Sequence, residues 1–81
     1  SYEEEILNKD TRYNDMVTVA LRTREGLDLT QLSEEQASYC RKNATPYIKR
    51  GWLKEHEGRI RLTREGLFVS DLIMSELMVV D

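Results

Sequence analysis

The sequence predicts a mainly α member of the α+β class: three helices, a β-hairpin and a closing helix, in that order. Three observations lead there. Tyr13, Met16, Val17, Ala20 and Leu21 recur with helical spacing near the start. Ser33-Glu34-Glu35-Gln36 has the pattern of a reciprocally capped helix start. Trp52-Leu53-Lys54-Glu55-His56 and the alternating Arg59-Ile60-Arg61-Leu62 flank Glu57-Gly58, a hairpin turn signal.

The first apolar stripe predicts a helix from Thr11 to Arg24. Arg22 and Arg24 would lie in its last turn, where cations suit the carbonyl end, and Gly26 would terminate it. Glu3-Glu4-Glu5 reads as a solvated charge run, and residues 27–32 as a connector anchored by Leu27, Leu29 and Leu32. The second helix should start at Ser33 and run to Lys42 or Asn43, with Ala37 and Cys40 inward. Thr45-Pro46 reads as a cap followed by proline in a first helical turn, so a short third helix is expected, ended by Gly51.

In the hairpin, Ile60 and Leu62 should face inward and Arg59 and Arg61 outward, with Gly58 at positive φ. Thr63 should cap one last helix running from Arg64 to Met78. Its stripe of Leu67, Phe68, Leu72, Ile73 and Leu77 is broad enough for burial on two sides. Three helices, a wing and a closing helix make a winged-helix-like domain.

With 81 residues the chain has room for one core, so residues 1–81 are expected to form a single domain. The opening Ser1-Tyr2-Glu3-Glu4-Glu5 is unlike a secretory leader, and no apolar run is long enough to span a membrane. A start at Ser1 rather than Met suggests a fragment of a longer chain. One cysteine excludes an internal disulfide and points to a cytoplasmic setting.

The net charge of −3 argues against a dedicated nucleic-acid binder, but the charge is unevenly spread. Residues 1–40 carry four bases and nine acids. Residues 41–64 carry eight bases against Glu55 and Glu57, and residues 65–81 carry four acids and no base. The basic middle admits a nucleic-acid reading in which Arg59 and Arg61 meet phosphates. Its plain alternative is a solvated hairpin, or one that meets the acidic surface of another domain.

Chemistry-bearing residues are sparse. Cys40 and His56 are the only soft metal ligands, too few for zinc or an iron–sulfur cluster. Cys40 reads as a buried inert thiol and His56 as an exposed residue near the hairpin tip. Ser33, Ser38, Ser70 and Ser75 have no nearby base, and no glycine-rich phosphate loop occurs. The chain carries no catalytic residue and no cofactor or metal site of its own.

Two stretches nevertheless form a signature. Arg12-Tyr13-Asn14-Asp15 with Leu21-Arg22-Thr23-Arg24-Glu25-Gly26-Leu27-Asp28-Leu29 resembles the opening of the C-terminal domain of oxygen-independent coproporphyrinogen III oxidases and their haem-chaperone relatives. Gly51-Trp52-Leu53 followed by Leu62-Thr63-Arg64-Glu65-Gly66 is similar to that family's later pattern. The resemblance runs from Tyr2 to the end of the chain.

It implies an accessory domain behind a barrel that holds a [4Fe–4S] cluster through three cysteines and S-adenosylmethionine at the fourth iron. The parent would be a radical oxidoreductase or a haem chaperone. This domain would cover its barrel or help to hold a tetrapyrrole or haem. Tyr13, Asn14, Arg22 and Arg24 are then the expected interdomain or substrate-facing residues, since guanidinium groups grip carboxylates through paired hydrogen bonds. The rival is a winged-helix nucleic-acid-binding module of a regulator, using Arg59 and Arg61.

Overall fold

A computed structural model describes residues 1–80. The chain order is α1 (Tyr2–Ala20), β1 (Leu27–Asp28), a 3-10 turn (Leu29–Gln31), α2 (Glu34–Lys49), β2 (Leu53–His56), β3 (Arg59–Leu62), α3 (Arg64–Leu67) and α4 (Ser70–Leu77). The three strands form one antiparallel sheet in the order β1-β3-β2. The mainly α, α+β class is as expected, while several boundaries move.

Helix α1 begins nine residues before the expected start at Thr11, because Ser1 and Glu4 cap it reciprocally. Glu3, Glu4 and Glu5 are its exposed first turn, where acids suit the amide end. It stops at Ala20, so Arg22 and Arg24 are not in its last turn. The Thr23 hydroxyl donates to the Ala20 carbonyl at 2.7 Å and accepts from the Gly26 amide at 3.1 Å, closing a turn instead. Gly26 is needed there. It has φ 78°, and a Cβ on it would lie 2.4 Å from the Ile60 carbonyl oxygen.

That close approach lets β1 pair with β3, Leu27 opposite Ile60 and Asp28 opposite Arg59. The expected connector is thus a short strand followed by a turn capped by Asp28. Both the amide and the hydroxyl of Thr30 donate to its carboxylate, at 3.0 and 2.7 Å. The Thr30 hydroxyl first, then its amide, hold the Asp28 carboxyl below the usual carboxylate range.

The largest correction lies in the middle of the chain. The expected second and third helices are one, and Pro46 sits inside α2 rather than at a helix start. Proline there removes one backbone hydrogen bond and costs on the order of 3 kcal/mol. The apolar face offsets that cost. Cys40, Ala44 and the partly buried Tyr47 and Ile48 continue one stripe through Pro46 onto the core. The Thr45 hydroxyl, expected to cap, donates to the Arg41 carbonyl one turn back.

The hairpin matches expectation, with His56 opposite Arg59 and a two-residue turn. Glu57 and Gly58 take φ 52° and 78°, the paired positive values of a type I′ turn. Ile60 is buried, Leu62 is partly buried, and Arg59 and Arg61 face outward.

The closing helix is broken. Thr63 caps α3 by accepting from the Gly66 amide at 3.1 Å. At Phe68 and Val69 the amides turn back to Glu65 and Gly66, i to i−3, and α4 restarts at Ser70. The break re-aims the apolar residues. Ile73, Met74 and Leu77 enter the core with Tyr13, Val17, Leu21, Leu27, Leu53 and Ile60. Leu67, Phe68 and Leu72 stay outside at 61%, 87% and 48% exposure, against the expected burial.

Candidate functional site: a cationic cleft beside an exposed apolar face

The turn after α1, strands β2 and β3, and α3 enclose a shallow cleft of about 420 Å³. Its charged lining is Arg22, Arg24, Lys54 and Arg61, and its apolar lining is Leu21, Leu62 and Leu67. No lining residue is acidic. The cations arrive by two local devices. The Thr23–Gly26 turn holds Arg22 and Arg24, and the β2–β3 register sets Lys54 opposite Arg61.

Three cations elsewhere have side-chain partners. Arg41 donates to Glu55 at 3.1 Å, Arg59 meets Asp28 at 3.4 Å, and the Arg50 guanidinium lies 5.1 Å from the Trp52 ring centre. The four cleft cations make no ion pair among the described residues. They form a positive concavity suited to carboxylates or phosphates. Beside it, Leu67 joins the cleft to exposed Phe68 and Leu72 on the α3–α4 junction.

The expected site residues divide into two places. Arg22 and Arg24 line the cleft together with Arg61, which the sequence pairs with Arg59 on the hairpin. Arg59 instead pairs with Asp28. It borders, with Arg61, Glu25, His56 and Glu57, a smaller recess of about 110 Å³. Tyr13 and Asn14 do not line the cleft. The buried Tyr13 hydroxyl donates to the Leu77 carbonyl at 2.8 Å. The Asn14 amide donates to the Val79 carbonyl at 2.9 Å and accepts from the Val79 amide at 2.8 Å.

Lys54 and Leu67 were missed as site residues. The basic middle of the chain held the signal for Lys54, but only the strand register reveals its neighbour. Leu67 was assigned to the core by helical period, which the break at Val69 cancels.

A cluster does not fit this donor set. Cys40 is the single thiol and is fully buried, burial pushes it above the ordinary thiol range, and the Glu55 carboxylate adds to that rise. Burial likewise raises the Tyr13 hydroxyl. Among the described residues no three His, Cys, Asp or Glu side chains are gathered to hold a metal ion. No helix of the described residues is long and apolar enough to cross a membrane.

No curated protein and no solved structure matches the chain. A family model described as the HemN C-terminal domain matches residues 7–69, a span that includes both signature stretches and every residue lining the cleft. The chain therefore belongs to the HemN C-terminal domain family, that of the coproporphyrinogen oxidase-like proteins its sequence resembles.

Proposed function

We propose that this chain is a non-catalytic, winged-helix-like accessory domain. In this reading it follows a radical S-adenosylmethionine barrel in a cytoplasmic parent and covers the barrel's open side. The family match over residues 7–69 carries the reading. Radical intermediates require water and oxygen to be kept out, which gives a covering domain a physical purpose. The parent supplies the cluster and S-adenosylmethionine, and is an oxidoreductase or a haem chaperone.

Excising residues 1–81 from the parent should leave its visible cluster absorbance intact under nitrogen and shorten the cluster's lifetime in air. Equal lifetimes with and without the domain would refute covering.

The cleft supports a second role, a hand in holding a tetrapyrrole. Arg22 and Arg24 stand together without carboxylate partners, and a guanidinium pairs with a carboxylate through two hydrogen bonds. Arg22→Ala with Arg24→Ala in the parent should weaken coproporphyrin binding by about tenfold or more, since each charge-assisted bond contributes about 1.5–3 kcal/mol. Unchanged binding, read by porphyrin absorbance, would remove tetrapyrrole contact from this domain.

The regulator reading draws less support. Of the two wing arginines it needs, Arg59 is engaged by Asp28.

A further inference from the structure

We propose that the cleft and the apolar residues beside it form one docking face, whose partner surface has an apolar centre and a rim of carboxylates. The partner is the barrel of the same parent polypeptide. The inference rests on the covering role and adds which face is covered and by what chemistry.

The first observation is the pairing of charge. The chain has 15 acids against 12 lysines and arginines, so acids are not scarce. Arg41 and Arg59 find carboxylates on their own surface; among the cations without an ion pair, Arg22, Arg24, Lys54 and Arg61 are gathered on one cleft that no acid lines. Gathering four like charges raises the local potential, and an acidic partner surface lowers it.

The second observation is the apolar face. Phe68 is 87% exposed, Leu67 61% and Leu72 48%, clustered at the α3–α4 break. An exposed apolar cluster with a charged rim is the pattern of a protein contact, in which a large aromatic fills a pocket of the partner. The two halves are continuous, because Leu67 belongs to both.

A protein surface answers both halves, and a tetrapyrrole, an apolar ring with carboxylate arms, is the rival that the test separates from it. A small anion in the cleft would leave Phe68 and Leu72 in water, since neither lines it. A nucleic-acid backbone would meet the cations and gain nothing from the leucines. A second exposed apolar group, Tyr2, Ile6 and Leu7 on α1, shares its turns with Glu3, Glu4 and Glu5 and lines neither the cleft nor the smaller recess.

Hydroxyl-radical footprinting of the isolated chain and of the full-length parent tests the face directly. Leu67, Phe68 and Leu72 should label readily in the isolated chain and several-fold less in the parent. Arg22→Glu with Arg61→Glu in the parent should restore most of the labelling at Phe68, and Arg22→Lys with Arg61→Lys should not. Protection only at Tyr2, Ile6 and Leu7 would overturn the face while leaving covering intact. No protection anywhere would overturn both. Protection of Phe68 indifferent to charge reversal would overturn the carboxylate rim, and protection that needs added coproporphyrin would reassign the face to a tetrapyrrole.

Discussion

Two regions of this domain handle polar groups in opposite ways. At the C-terminal tail, three polar side chains from α1 and α2 are matched with backbone groups. Tyr13 serves the Leu77 carbonyl, Tyr39 the Met78 carbonyl at 3.0 Å, and Asn14 both backbone groups of Val79. These carbonyls include those that the end of α4 leaves without helical partners, so the clamp satisfies groups that burial would otherwise penalise. At the cleft and the α3–α4 junction beside it, four cations and the exposed Leu67, Phe68 and Leu72 have no ion-pair or core partner among the described residues.

The contrast teaches that membership of one sequence signature does not imply one role. Tyr13-Asn14 and Arg22-Arg24 stand in the same early stretch, eight residues apart (Asn14 to Arg22), yet have different tasks. The first pair holds the domain together. The second is spare, and spare cations on a stable scaffold are where a partner is recognised.

The largest effect that could sharpen this division comes from the base of the outward face. Gly66 lies so close to the residue before β2 that a Cβ on it would sit 1.9 Å from the Trp52 carbonyl oxygen. Backbone must move to admit a methyl group, so Gly66→Ala should cost on the order of 3 kcal/mol or more. That corresponds to a fall in melting temperature of roughly 10–20 °C for a domain this small. A variant melting with the wild type would show that α3 is not seated on Trp52, and the outward aim of Leu67 and Phe68 would lose its support.

The tail clamp should give the next effect. Asn14→Ala strands both the amide and the carbonyl of Val79 in a partly buried place, at a cost of about 1–3 kcal/mol. Asn14→Asp keeps an acceptor for the Val79 amide and loses the donor to its carbonyl, so it should not restore wild-type stability. Urea unfolding reads both. If Asn14→Ala unfolds at the wild-type midpoint, the clamp is a surface contact and the two regions are alike.

Much of this was legible in the sequence wherever the cause is local. The Ser33 cap with Gln36, the Glu57-Gly58 turn and the Thr63 cap depend on residues at most three apart, and each is found as expected. The errors arose where packing overrules local preference. Pro46 reads as a helix start until the stripe from Cys40 through Ala44 to Ile48 is seen on the core. The final helix reads as continuous because nothing at Phe68-Val69 resembles a breaker. The site was half legible for the same reason. Arg22, Arg24 and Arg61 could be named singly, but the cleft joins positions 21–24, 54, 61–63 and 67, and only folding sets them side by side.

The smallest expected effect is also the one that tests the division most strictly. Arg22→Ala with Arg24→Ala removes two exposed side chains that form no ion pair among the described residues. Exposed substitutions without partners ordinarily change stability by no more than about 0.5 kcal/mol. Removing two of four converging cations also relieves mutual repulsion, so the sign should be neutral to slightly stabilising, and more so at low salt. Thermal unfolding of the isolated domain at low and high ionic strength measures this. A loss of 2 kcal/mol or so, well beyond the surface range, would mean that the arginines brace the turn after α1. They would then belong with Tyr13 and Asn14 as structural ties. An unchanged or slightly raised midpoint leaves them free for recognition, since a group that contributes nothing to its own fold keeps its full interaction energy for a partner.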